Sequence, residues 1–465
     1  MLMLIGLILL VCLSSVFAGK IKSSKDYLVA GGSMPVVVVA FTMAATQFGG
    51  GALVGGIQQG AQLGFWPAMY TILGMAIACL VNSFVANRYR AFGDDVTPPD
   101  FIQRRYGYSR FMRGYHSFTF IFTVIAICAS QVVSFASMAT ALGISYNTGV
   151  VICAAAVALF TIFSGMWGVA TTDMAQLILV MIFLPIVAFL LLPDLNAVGV
   201  GMGDLFREPF FGEGKNLGTF LYTSAPTIIG SMYSYEYFMR FQAAKSPAQA
   251  KKASLTAGII LLSTAVPIGI IGACANRVFP EVAANEVLAT IITMKLPRWA
   301  AYLFMAAIFA ALMSTADSVL TSLSAIVSRD IYGKLIMHGK NVPEKRTILI
   351  ARLTIAAGAA FAAWAAMHFT QILKMSFYFS PLTTGVMFAP MILGLFWKKA
   401  SRRGAMAAIL CGGITGLCHI FGLFLLFDRV LGVMLVGSAA LVLFSLIFPD
   451  ESPEQKLLRN RSALG

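Results

Sequence analysis

The chain has 465 residues, 59% hydrophobic and only 11% charged, with a mean hydropathy of +0.84 and a formal net charge of +14. Soluble domains carry roughly 25% charged residues, so this composition excludes a water-soluble globular fold and predicts an all-α polytopic membrane protein. The positive balance does not point to nucleic acid, because Lys and Arg are dispersed among short loops with no aromatic-interleaved patch.

Apolar stretches long enough to cross a bilayer are expected at about 2–18, 35–57, 63–86, 116–142, 149–164, 169–192, 218–239, 254–276, 299–327, 348–368, 376–397, 405–427 and 430–448, which makes thirteen spans. The opening run ends in VFAGK, where Val16 and Ala18 could suit a signal peptidase. A signal peptide carries its positive charge ahead of the apolar core, whereas here Lys20, Lys22 and Lys25 follow it, so the run reads as a retained helix.

With the N-terminus outside, 26 of the 33 Lys and Arg fall on the inner side. They include Arg88 through Arg113, Arg240 through Lys252, Arg329 through Arg352 and Lys398 through Arg403. Such an excess predicts a plasma (inner) membrane protein with its C-terminus in the cytoplasm.

Two spans are interrupted. Gln47 to Gly56 reads QFGGGALVGG, and Ala225 to Ser234 reads APTIIGSMYS. Broken helices in corresponding places of two halves mark the site of an inverted-repeat transporter, where freed carbonyls can hold a cation and freed N–H groups a polar solute. The glycine run is not a phosphate loop, since no Lys follows it and it lies inside an apolar span. Two amphipathic inner segments are expected at 94–106 and 234–254, with Ser246 and Pro247 as the N-cap and first turn of a helix.

The stretch from Ala310 to Tyr332 is long enough to span and rich in hydroxyls. At about 100° per residue, Ala311, Ser314, Thr315, Ser318 and Ser322 share one face, which offers oxygen ligands to a hard cation if a partner helix completes the shell. The alternative is close helix packing, with each hydroxyl bonded back to its own backbone. Asp317 favours the ion, because a mid-span carboxylate costs about 2.5–3.5 kcal/mol on insertion scales and is usually kept for a pathway or a charge. Asp173 and Glu236 are the other acids in or beside spans, and Glu236 is expected too near the cytoplasmic end to contact solute, in a headgroup-level or loop ion pair. The four His are scattered and the seven Cys lack metal-ligand spacing, so neither a catalytic set nor a zinc site is implied.

Taken in order, KDYLVAGG from Lys25, AATQFGGGALVGG from Ala44, VTPPDFIQRRYG from Val96, TTDMAQ from Thr171, FMRFQAAKSPAQAKK from Phe238, AALMST through SRDIY, and PMILGLFWKKASRRGA from Pro390 resemble the sodium:solute symporter family. That family includes bacterial sugar, sialic acid and proline carriers. The resemblance implies a LeuT-type five-plus-five inverted repeat within a single transporter domain. An extra helix at 2–18 would precede repeats at 35–192 and 218–397, with two further helices at 405–448.

The resemblance also implies sodium-coupled uptake by alternating access, with Na+ as the coupling ion and no organic cofactor. The main sodium site would be the carbonyl of Ala311, the hydroxyls of Ser314 and Thr315, and the carbonyls of Ala40 and Met43. A second cation site in some members implicates Asp173, Ser314 and Ser318, but Asp317 stands where those members place a serine. That departure leaves open a strengthened site, a proton site, contact with a cationic solute, or a structural ion pair.

Thr42, Gln47, Gln131, Ser134, Tyr233, Ser234 and Tyr378 are the candidate solute contacts at the midplane. The expected partners are a small polar organic solute and membrane lipid, with no nucleic acid and no obligate protein partner. Two alternatives remain at this point. One is a proton-coupled carrier using Asp317; the other is a transporter-like sensor, which would need a separate signalling partner because only about 17 residues follow the last span. A membrane enzyme is disfavoured, since the three acids lack a His or Cys partner.

Overall fold

A segment inside hydrocarbon must satisfy its own backbone, and this sequence does so with helices. The computed structural model describes residues 23–450 except 141, 212–216, 285, 341, 370–371 and 424–428. The helix expected at 2–18 lies outside the described residues. Among them there is no strand beyond one isolated bridge between Met34 and Ala244.

In chain order the helices are α1 (Ser24–Val29), α2 (Val36–Gln47), α3 (Gly56–Leu63), α4 (Phe65–Phe92), α5 (Pro98–Tyr106), α6 (Arg110–Thr140), α7 (Tyr146–Leu190), α8 (Leu217–Ser231), α9 (Tyr235–Ala243), α10 (Pro247–Arg277), α11 (Arg298–Ala325), α12 (Glu344–His368), α13 (Ile372–Phe388), α14 (Arg402–Ile420) and α15 (Arg429–Ile447). Short helices lie at Leu192–Ala197, Met202–Arg207 and Val287–Lys295, and π-helical turns extend α11 and α13. Among the described residues nine helices are long and apolar enough to cross a membrane, or ten when the bent pair beginning at Val36 is taken as one.

The difference from the expected count has local causes. Helix α7 has 45 residues and would measure about 68 Å if straight, more than twice the hydrocarbon thickness of about 30 Å. Gly165, at φ 55° and ψ −176°, divides it between the two spans expected at 149–164 and 169–192. Helices α8 and α9 have only 15 and 9 residues, and neither spans by itself. Ser246 caps α10 by accepting from the Gln249 N–H at 3.3 Å, with Pro247 in the first turn, as the sequence predicts.

Helix α11 is the most enclosed span. Its most apolar window is 89% buried, against 33% for α12, so its hydroxyls face protein rather than lipid. It packs against α7, α6, α12 and α2. At one end of the bundle the start of α2 is tied to the end of α9, where Met34 N–H donates to the Ala243 carbonyl at 2.9 Å and Lys245 N–H to the Met34 carbonyl at 3.3 Å.

The same end carries a buried ionic knot. Arg113 pairs with Asp330 and with Asp100, the latter at 2.9 Å, and donates to Gln103 Oε1 at 2.7 Å. Thr97 donates to Asp330 at 2.9 Å and the Tyr235 hydroxyl donates to the same carboxylate at 3.1 Å, while Arg329 reaches Asp100 at 3.2 Å. Burial alone would push the Asp100 carboxyl up, but Arg329 and Arg113 hold it down at about 2. Arg113, counted above with the inner loops, is therefore a core residue. Its charge is affordable there because two carboxylates face it.

Candidate cation and solute site

Both interruptions read from the sequence are present. Helix α2 stops at Gln47, Gly49 and Gly50 pass without regular helix, and after a π-helical turn at Gly51–Gly55 the chain resumes at a bend of 52°. Glycine is required here by close approach. A Cβ at Gly49 would sit 2.5 Å from Thr315 Oγ1, and one at Gly50 would sit 2.5 Å from Ser134 Oγ. The Gly50 N–H released by the break donates to Gln131 Oε1 at 2.8 Å. The second break falls between α8 and α9, where Ser234 starts α9 by accepting from the Tyr237 N–H at 3.3 Å.

The two breaks open on one cavity of about 250 Å³, with room for roughly eight water molecules at about 30 Å³ each. Of the residues named as candidate solute contacts, Gln47, Gln131, Tyr233 and Ser234 line it, together with Thr46 and Thr315. Thr42 and Ser134 are not among the described lining residues. Thr42 turns its hydroxyl to Asp173, and Ser134 bonds back to the Ser130 carbonyl at 2.9 Å. The side chain of Tyr378 lies outside the described residues.

Helices α2 and α11 meet through oxygen atoms. Thr315 Oγ1 lies 3.4 Å from the Thr46 carbonyl and 3.4 Å from the Ala311 carbonyl, and Thr46 Oγ1 lies 3.3 Å from Ser318 Oγ. Contacts of 3.4 Å are weak for a hydroxyl, which leaves that oxygen free to do more. The Met43 carbonyl accepts from the Tyr237 hydroxyl at 3.4 Å. Helix carbonyls at a C-terminal end and alcohol oxygens make a donor set that suits a hard monovalent cation. Thr46, whose carbonyl lies at the break itself, was not among the expected ligands, although it sits beside Gln47 in the quoted motif.

Behind this seam lies a charged cluster. Asp173 accepts from Thr42 Oγ1 and from Ser314 Oγ, each at 2.5 Å, and has 0% of its surface exposed. Arg240 Nη2 is 3.7 Å from Asp173 and donates to Ser318 Oγ at 2.6 Å. Its Nε donates to Thr42 Oγ1 at 3.1 Å, and Nη1 donates to the Glu236 backbone carbonyl at 3.1 Å.

The structure thus brings Asp173, Ser314 and Ser318 together, with a guanidinium already among them. Asp317 turns elsewhere and accepts from Thr161 Oγ1 at 2.5 Å. Arg240, which the sequence places with the inner loops, is 1% exposed and belongs to this cluster. Glu236, expected in a headgroup-level ion pair, is 6% exposed and lines the cavity instead. The signal for both was present in the sequence. They stand four apart in YEYFMRF, a stretch too aromatic for a solvated loop.

The profile described as "Sodium:solute symporter family" matches residues 27–412. The chain belongs to this family. It is 27% identical over 453 residues to the sodium/proline symporter of Escherichia coli (strain K12), covering 92% of this chain and 88% of that protein. It is 26% identical over 435 residues to the sodium/pantothenate symporter of the same organism, covering 86% of each. In fold it resembles a Na+-coupled sialic acid symporter solved in a substrate-bound outward-open state, with a TM-score of 0.79, 18% identity, and coverage of 97% of this chain and 98% of that one. As a member of this family the chain is a membrane transporter rather than an enzyme, and its relatives support Na+-coupled symport of a small organic solute.

Proposed function

We propose that the protein imports a small polar organic solute by sodium-coupled alternating access. In this reading its N-terminus is outside, its C-terminus is cytoplasmic, and its spans form the LeuT-type five-plus-five repeat with one helix before it and two after. The observation that carries the reading is the seam itself. The break in α2 lies against the hydroxyl face of α11, and both broken helices open on the same cavity.

Sodium would be held by the carbonyls of Ala40, Met43 and Ala311 and the hydroxyls of Ser314 and Thr315. An ion shared between α2 and α11 stabilises the arrangement in which they touch, and that arrangement accepts the solute through Gln47, Gln131, Tyr233 and Ser234. Opening on the other side separates the two helices, which removes the ligands from one another and releases both cargoes. Any such shift needs a difference in affinity between the two states, and a site built from two moving elements supplies one.

Arg240 bears on the stoichiometry. A second sodium beside Asp173 and Ser318 would have to share their oxygens with a guanidinium that already neutralises the carboxylate. The reading therefore assigns one sodium to each transport cycle. Moving one charge through 100 mV is worth about 2.3 kcal/mol, enough for roughly fifty-fold accumulation of a neutral solute at about 1.4 kcal/mol per tenfold.

The test is uptake into proteoliposomes by the Ser314→Ala/Thr315→Ala double variant. Loss of sodium dependence supports the site, and undiminished sodium-driven accumulation removes it.

A further inference from the structure

We propose that the transported solute carries an ammonium group and that the Glu236 carboxylate recognises it, an assignment that rests on the symport reading of the same cavity. Glu236 is the one charged residue among the described residues lining the cavity, whose other polar groups are hydroxyls, amides and backbone. The residue is more than nine-tenths buried, and its Oε1 atom has no hydrogen-bond partner among the described residues. A carboxylate in the wall of a binding cavity with no ion pair among the described residues forfeits a large solvation energy, so its retention there calls for a ligand that supplies the missing positive charge.

The protein's own cation does not fill that role. Arg240, one helical turn along α9, bonds the backbone carbonyl of Glu236 and directs its charge at Asp173. The ionised carboxylate also suits its place in the first turn of α9, where the positive end of the helix favours an anion. That placement favours the carboxylate form without occupying Oε1.

The surrounding rings point the same way. Tyr233 and Tyr237 line the cavity with their hydroxyls tied back, the first to Thr384 at 2.6 Å and the second to Cys79 at 3.2 Å. What they offer a solute is aromatic surface, and with Phe120 they put three rings in the wall of the cavity that Glu236 also lines. An anion lacking an amine would meet only repulsion from Glu236.

Four probes test this with the purified full chain in sodium chloride: choline, L-proline, pantothenate, and the uncharged isostere of choline that carries a tert-butyl group. Calorimetric titration is expected to show saturable binding of choline or proline and none of the isostere or pantothenate. Glu236→Gln should weaken the ammonium probe by about tenfold or more, equivalent to about 1.4 kcal/mol, with Glu236→Asp in between. Radiosodium binding without solute reports that each variant is folded and should not change.

The assignment is overturned if pantothenate or the isostere binds as well as the ammonium probes, if no ammonium probe binds at millimolar concentration, or if Glu236→Gln leaves affinity unaltered. Loss of radiosodium binding in the unmodified protein would sink the symport reading as well. Sodium binding combined with a preference for the anion sinks the ammonium assignment alone.

Discussion

Replacing Arg240 with Met keeps the length and apolar stem of the side chain while deleting its charge and its donors. Three hydrogen bonds disappear, to Thr42 at 3.1 Å, to the Glu236 carbonyl at 3.1 Å and to Ser318 at 2.6 Å. More important, Asp173 keeps its two alcohol donors but loses the positive charge 3.7 Å away. Breaking one side of a buried pair costs about 3–5 kcal/mol, mostly through the carboxylate left behind, so Arg240→Met should unfold at markedly lower temperature in potassium chloride.

Sodium should then rescue the variant more strongly than it stabilises the unmodified protein. A single site saturated at a hundred times its dissociation constant contributes about 2.7 kcal/mol, and an ion newly admitted beside Asp173 would add a second contribution of similar form. Adding Asp173→Asn to Arg240→Met should restore stability in potassium and abolish the extra sodium dependence, because the carboxylate that Arg240 answers is then gone as well. The assay is thermal unfolding of detergent-purified protein across a sodium series at constant ionic strength. Arg240→Met as stable as its parent in potassium, or a sodium dependence running parallel to the parent's, would refute the role of Arg240 as resident counter-ion.

Two further outcomes follow from close contacts and from charge. Gly49→Ala would place a methyl 2.5 Å from Thr315 Oγ1 and 2.8 Å from Gln131 Oε1, an overpacking worth about 1–3 kcal/mol, and should lower sodium affinity. Gly51→Ala, with nothing within 4 Å of its new methyl, should leave that affinity unchanged in the same radiosodium assay. At the ionic knot, the Asp100 carboxyl is held at about 2 by Arg329 and Arg113 against its burial, below the ordinary 3.8. A folded-state value below the unfolded one stabilises above the unfolded value and is lost as pH falls through the folded one. Asp100→Asn should therefore cost about 2 kcal/mol at neutral pH, with the gap closing toward pH 2 in a thermal series.

The features that could be read from the sequence are those with a local cause. The glycine cluster at 49–51 weakens a regular helix, so the break in α2 could be read, and the gap between the apolar runs 149–164 and 169–192 falls where Gly165 turns the chain. The shared face of Ala311, Ser314, Thr315 and Ser318 follows from helical periodicity, and the fold sets it against α2. What was hidden depends on partners distant along the chain. Arg240 counts as a loop charge to any hydropathy window, because α9 has only nine residues; its burial is set by Asp173, Thr42 and Ser318 on three other helices. Arg113 was obscured in the same way by Asp330 and Asp100. Glu236 was misplaced for a related reason. Its depth depends on where α9 begins, which is fixed by the Ser234 cap and not by apolar length.

Equilibrium binding of radiosodium to the purified protein, without solute, bears most directly on the proposed seam between α2 and α11. Binding should saturate at one ion per chain, and Thr315→Ala should weaken it by at least about tenfold, equivalent to the loss of one ligand worth about 1.4 kcal/mol. Saturation at two ions per chain would contradict the assignment of Arg240 as the second positive charge. Unaltered affinity in Thr315→Ala would contradict the cation site itself.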